Sequence, residues 1–166
     1  MQDPTTATTT TRFDTRAEFA LQLRACMAAA QTGLDLFDPD FAVFPLGSSE
    51  TDALLRAFFM RGGVLRLALH TPAYVERHYP RLLRLLRDFG HRAECRMTPK
   101  ALHHLTDSFC IADNLHVVRR FHSDHMRGEA AFASPAAVDV PLHRFNVIWT
   151  ESFSTLQSTK SGLSAL

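Results

Sequence analysis

Ser108-Phe-Cys-Ile-Ala-Asp113 runs into Asn114 and then into Leu115-His-Val-Val-Arg-Arg-Phe121. Two short runs rich in apolar and β-branched residues, joined by Asp-Asn, predict a hairpin of two antiparallel strands. Downstream, Arg127 to Ala133 reads as a further edge strand. Ser134-Pro135 then gives an N-cap followed by proline at the first helical position. Val138, Leu142, Phe145, Trp149, Phe153 and Leu156 recur at spacings of three and four, so one last helix is expected, with Pro141 kinking it or delaying its start. Upstream, strands alternate with helices. His91 to Met97 reads as a strand, and Tyr79 to Asp88 as a helix with Pro80 in its first turn. Val64 to His70 is a strand closed by Thr71-Pro72. Glu50 to Met60 is a helix ended by Gly62-Gly63. Leu34 to Phe37 is a strand, and Arg16 to Gln31 a helix carrying Phe19, Leu23, Cys26 and Ala30 on one face.

This order predicts an α/β fold: a mainly parallel sheet, an antiparallel hairpin added to it, and helices on both faces. The chain has 166 residues, one domain's worth at ~150 residues per domain. We expect residues 1–12 to be a disordered threonine-rich tail, 13–156 a single domain, and 157–166 a second disordered tail. Lys and Arg total 18 against 17 Asp and Glu, so no bulk charge draws the chain to nucleic acid or an anionic membrane. No apolar run reaches the ~20 residues of a membrane span. The three cysteines, Cys26, Cys95 and Cys110, have no CxxC spacing and fall in apolar patterns. They read as buried free thiols of a reducing cytoplasm.

The hairpin and the order around it resemble one half of the phospholipase D fold. In that superfamily the first hairpin strand carries H-x-K-x4-D, followed by a turn and an apolar strand. Phe109-Cys-Ile-Ala-Asp113, Asn114-Leu115 and His116-Val-Val-Arg119 fit the frame, with Asp113 at the motif aspartate. The histidine position is Thr106 and the lysine position is Ser108. The resemblance implies a histidine nucleophile and a lysine on the phosphoryl oxygens. Threonine without a neighbouring base and uncharged serine supply neither, so the chain is expected not to run that chemistry. Asp35-Leu-Phe-Asp-Pro39, Val64 to His70, Pro80 to Asp88, Phe109 to Asp113, and Ser134 through Phe145 and Trp149 to Ser152 are similar to a bacterial domain of unknown function. That domain occurs alone or fused to Gcn5-related N-acetyltransferases, and brings no activity to carry over.

In open parallel sheets ligands bind beyond the carboxyl ends of the strands. Asp38, His70 and Lys100 should reach that end, and His103, His104 and Asp113 could join them from the hairpin side. Together they would make a cleft for a phosphate-containing ligand, with Lys100 as its cation. Each also has an ordinary reading: Asp38 an Asx turn before Pro39, His70 a turn cap, Asp113 a turn former beside Asn114. His122 and His125 have i, i+3 spacing but no third ligand, so no metal is expected, and no motif calls for a cofactor. Arg119, Arg120 and Arg127, with Arg81, Arg84 and Arg87, could form a basic surface.

The reading that follows is a cytoplasmic phospholipase D-like module that acts by binding or assembly. A lone half implies a homodimer if the two-half geometry survives. Two alternatives stand beside it: a phosphodiesterase or nuclease with a site rebuilt from His70, His103 or His104 with Asp113, and a nucleic-acid-binding accessory protein using the arginines.

Overall fold

Leu34, Leu36, Leu65, Leu67 and Leu69 alternate with Phe37, Arg66 and Ala68, the period of two that turns successive side chains to opposite faces of a sheet. The computed structural model describes residues 9–156. In chain order its elements are β1 (Thr9–Phe13), α1 (Arg16–Ala29), β2 (Gly33–Phe37), α2 (Ser49–Met60), β3 (Val64–Leu69), α3 (Ala73–His78), α4 (Pro80–Asp88), β4 (Ala93–Met97), a 3-10 turn (Lys100–Leu102), β5 (Ser108–Ala112), β6 (His116–Arg120), β7 (Gly128–Phe132), α5 (Pro135–Glu151) and β8 (Phe153–Thr155). The strands form one mixed sheet in the order β1-β7-β6-β5-β2-β3-β4-β8. β2, β3 and β4 are mutually parallel. The β5–β6 hairpin joins antiparallel to β2, and β7, β1 and β8 add further antiparallel pairs.

The alternation sorts the core into two layers. Leu34, Leu36, Leu65, Leu67, Cys110, Ala112 and Val118 pack with α1, α2, α3 and α4. Phe37, Ala68, Phe109, Ile111, Val117 and Ala131 pack against α5 alone, through Val138, Phe145, Ile148 and Trp149. Side-chain caps start three of the helices: Thr15, Ser48 and Ser134 accept from the backbone N–H three residues on. Gly62, at φ +93, lets the chain turn out of α2. Gly128 sits where β7 meets β6 and β1, and a Cβ there would strike the Arg119 carbonyl oxygen and the Phe13 ring.

Four elements differ from the sequence expectation. Residues 9–12, expected in the tail, belong with Phe13 to an edge strand paired to β7. The expectation for 1–8 and 157–166 lies outside the described residues. A short helix, α3, and the 3-10 turn were not anticipated. The last helix stops at Glu151, because Ser152 turns its N–H and Oγ back onto Trp149 and Ile148 carbonyls. Phe153 therefore lies on β8 instead of the helix, and Leu156 follows it.

Candidate functional site

β2, β3 and β4 end side by side, and the next residue of each is polar: Asp38, His70 and Thr98. Backbone bonds keep the three in line, Asp38 N–H to Ala68 O (3.3 Å) and Thr98 N–H to Leu69 O (2.9 Å). All three are buried. The Asp38 carboxylate accepts from the N–H groups of Asp40 (3.1 Å) and Phe41 (2.7 Å), so the expected Asx turn is present. It fixes Phe41 at φ +60, a left-handed conformation costly for a bulky residue. Its other oxygen takes Arg120 Nη2 at 2.7 Å.

Arg120 comes from β6, and both side chains of this ion pair are only 2% exposed. All three guanidinium nitrogens are engaged. Nε donates to Ser108 Oγ (3.1 Å), and Nη1 to the carbonyls of Ser123 (2.8 Å) and His125 (3.3 Å). Its Cζ lies 5.3 Å from the Phe19 ring centre. Burial pushes the Asp38 carboxyl above the ordinary carboxylate range; the Ser108 hydroxyl, the two N–H groups and Arg120 pull it back.

His70 is also held at both ring nitrogens, Nε2 to the Leu105 carbonyl (2.8 Å) and Nδ1 to Thr98 Oγ1 (2.6 Å). A carbonyl only accepts, so Nε2 carries the proton and Nδ1 accepts from the threonine hydroxyl. Burial, and the nearby His103, lower the His70 pKa and keep the ring neutral. The folded value is depressed, so its stabilising contribution is present above the ordinary ~6.5 and is lost as pH falls through the folded value. Thermal midpoints should drop as pH falls below about 6.5. His70→Gln should flatten that stretch of the profile; an unchanged slope would assign the acid sensitivity to other groups.

Of the other expected residues, Lys100, His103 and His104 are exposed around the 3-10 turn. The His103 ring lies 4.9 Å from that of His70 and its Nε2 donates to Thr98 O at 3.2 Å. Asp113 does not join them. β5 runs antiparallel to β2, which delivers Asp113 to the opposite end of the sheet, roughly 15 Å away at ~3.3 Å per residue. There it accepts from the N–H groups of Gln31, Thr32 and Gly33 and from Thr32 Oγ1. Although partial burial raises it, these bonds hold its pKa below the usual carboxylate range. Asp113 itself lies at φ +56, so Asp113→Ala loses the bonds and strains the turn. A loss of about 1–2 kcal/mol is expected in urea unfolding, with Asp113→Asn losing less because asparagine tolerates that conformation.

Thr106 is half-buried, and its carbonyl accepts from Ser123 N–H (2.8 Å). The rings of His122 and His125 lie 5.5 Å apart, and no cluster of three potential metal ligands occurs among the described residues. The arginines do not make one surface. Arg120 is buried, while Arg119 on the opposite face pairs with Glu129 at 2.8 Å. All three cysteines are buried and unbridged, with Cys26 and Cys110 Sγ atoms 3.9 Å apart. Burial pushes Cys95 up to about 12, leaving it protonated and inert.

Sequence reasoning missed Arg120. The signal was available: on β6 it shares a face with Val118, and a charge on a buried face requires a partner.

The fold is that of phospholipase D proteins. It superposes on Nuc, a phospholipase D family member from Salmonella typhimurium, with TM-score 0.67 and 13% identity, covering 91% of this chain and 99% of Nuc. NucT from Helicobacter pylori gives 0.60 at 7% identity, covering 89% and 99%. TrmBL2, an archaeal chromatin protein with a novel mode of DNA binding, gives 0.67 at 15% identity, covering 88% of this chain and 54% of TrmBL2. Residues 15–158 match a domain of unknown function, DUF7931, and the chain belongs to that family. No curated protein matches the sequence.

Proposed function

We propose that this domain is a phospholipase D-like module that works by binding or assembly, as a cytoplasmic homodimer, without turning over phosphodiesters. The observation that carries the reading is Arg120. The position that the superfamily resemblance assigns to a lysine is Ser108, and the cation against it is locked to Asp38 with donors of all three nitrogens engaged. A cation so satisfied has little to offer a developing charge on phosphorus. His70 is equally committed at both nitrogens and is a poor nucleophile. What remains accessible at that end is Lys100 with His103 and His104, enough to contact a phosphate group and not enough to cleave one. No helix among the described residues is long and apolar enough to cross a membrane, and three unbridged thiols suit a reducing compartment.

The test pairs two measurements. Incubation with bis(p-nitrophenyl) phosphate, and with single- and double-stranded DNA, should give no product above buffer. Light scattering should give twice the monomer mass. Turnover abolished by His103→Ala would overturn the reading in favour of a rebuilt phosphodiesterase site. Tight DNA binding that collapses with added salt would instead favour a nucleic-acid accessory role. A monomer at all concentrations would remove the assembly part.

A further inference from the structure

Across the sheet from the Asp38–Arg120 pair lies a cavity of about 370 Å³, between the ends of β5, β6 and β7 and the first half of α5. Such a volume is in the range of small-molecule sites. Strand alternation places it on the α5 side. Phe109 belongs to the core layer under α5, whereas Ser108 and Arg120 reach the wall from behind, with their side chains turned to Asp38. It opens on the other face of the sheet from Asp38 and shares Ser108 and Arg120 with the strand-end cluster, but the inference does not rest on the proposed function.

Phe109, Phe121, Val140 and Pro141 make its apolar wall, and Arg119 and Arg144 line the rest beside the carboxylates of Glu129 and Asp107. Phe121 is 48% exposed and Val140 72%. Each arginine is oriented by a carboxylate and left incomplete. Arg144 gives Nε and Nη2 to Asp107 (2.6 and 3.0 Å). Arg119 gives Nε and Nη2 to Glu129 (3.2 and 2.8 Å), with its Cζ 5.1 Å from the Phe121 ring centre. Neither Nη1 has a partner among the described residues. Two guanidinium groups, each oriented by a carboxylate and partly exposed, line one cavity with an exposed phenyl ring and leave Nη1 donors for an anion.

We infer that this cavity binds a small organic anion with a flat apolar body. Its acidic group takes the Nη1 donors of Arg119 and Arg144, and its ring lies against Phe121 and Val140. The paired carboxylates keep the two arginines from drawing in free inorganic ions indiscriminately, so the apolar body is as necessary as the charge.

The probe is 8-anilinonaphthalene-1-sulfonate, with N-phenyl-1-naphthylamine as its uncharged counterpart. Fluorescence titration should show one sulfonate probe per chain. Its binding should perturb backbone amide resonances of 107–121 and 136–144. Arg119→Gln and Arg144→Gln should each weaken the sulfonate about tenfold, the loss of one charge-assisted hydrogen bond, while leaving the uncharged probe unchanged. Both arginines are solvent-exposed enough that the variants keep the wild-type melting midpoint, which is checked first. Val140→Trp, at an exposed position, should fill the cavity and exclude both probes. Absence of binding, resonance changes confined to other residues, or equal affinity in the arginine variants would each overturn the inference.

Discussion

Asp38→Ala is expected to lower the unfolding free energy by about 3–5 kcal/mol, since it strands the Arg120 guanidinium in the core without its counter-charge. The loss reaches further than one ion pair. Asp38 also accepts from the N–H groups of Asp40 and Phe41, and so holds the turn that sends Phe41, Phe44 and Leu46 into the core. Tyr79 ties the same loop down through Phe41 and Phe44 carbonyls, at 2.7 and 2.8 Å. Urea unfolding followed by circular dichroism measures the change. Arg120→Met gives the complementary result. It leaves a buried carboxyl already raised by burial, and one that can escape its cost by taking a proton. A carboxyl whose folded pKa lies above the unfolded one penalises folding at neutral pH and ceases to do so in acid. Arg120→Met should therefore be less destabilising at pH 5 than at pH 7. A flat dependence would mean that Asp38 stays ionised without Arg120.

Trp149→Ala should cost about 3–5 kcal/mol, the range for removing a large aromatic from a core. Trp149 is 9% exposed and is the anchor of α5. It stacks on Phe145 with ring centres 5.7 Å apart. Arg66 and Arg96 lie 5.5 and 4.2 Å from its ring centre, contacts worth about 0.5–2 kcal/mol each when desolvated. Arg66 is fixed by a two-point bond to Asp35, and Arg96 bonds the Trp149 carbonyl at 2.9 Å. Because α5 alone covers its face of the sheet, no second helix compensates. Trp149→Phe should keep roughly half of the stability lost in the alanine variant, as it retains an apolar ring. Equal losses in the two variants would show that the indole's contact with the arginines outweighs its volume. Trp149 is the only tryptophan, so circular dichroism replaces fluorescence as the readout.

Periodicity made most of the framework legible. Leu34 to Phe37, Val64 to His70 and the Asp113-Asn114 turn carry local signals strong enough to stand alone, and the structure keeps all three. Thr9–Phe13 is a strand only because β7 offers its edge, a partner more than a hundred residues away that no local pattern advertises. Phe153 and Leu156 continued the helical spacing of α5, yet Ser152 ended the helix by bonding back to it. For the candidate site, the rule that polar residues gather at strand carboxyl ends grouped Asp38 with His70, and the two do follow neighbouring strands. It misplaced Asp113, because an antiparallel strand ends at the other side. Arg120 was read as surface since its partner lies 82 positions earlier, and only the facing of β6 brings them together.

The sheet begins with β1 and ends with β8, so the first and last strands among the described residues are its two outer edges. Seven strand spacings of ~4.8 Å put them roughly 34 Å apart. A circularly permuted form, with Thr155 joined back to Thr9 and new ends opened in the β6–β7 loop, would need a bridge of at least about ten extended residues. Shorter bridges should peel one edge strand off the sheet.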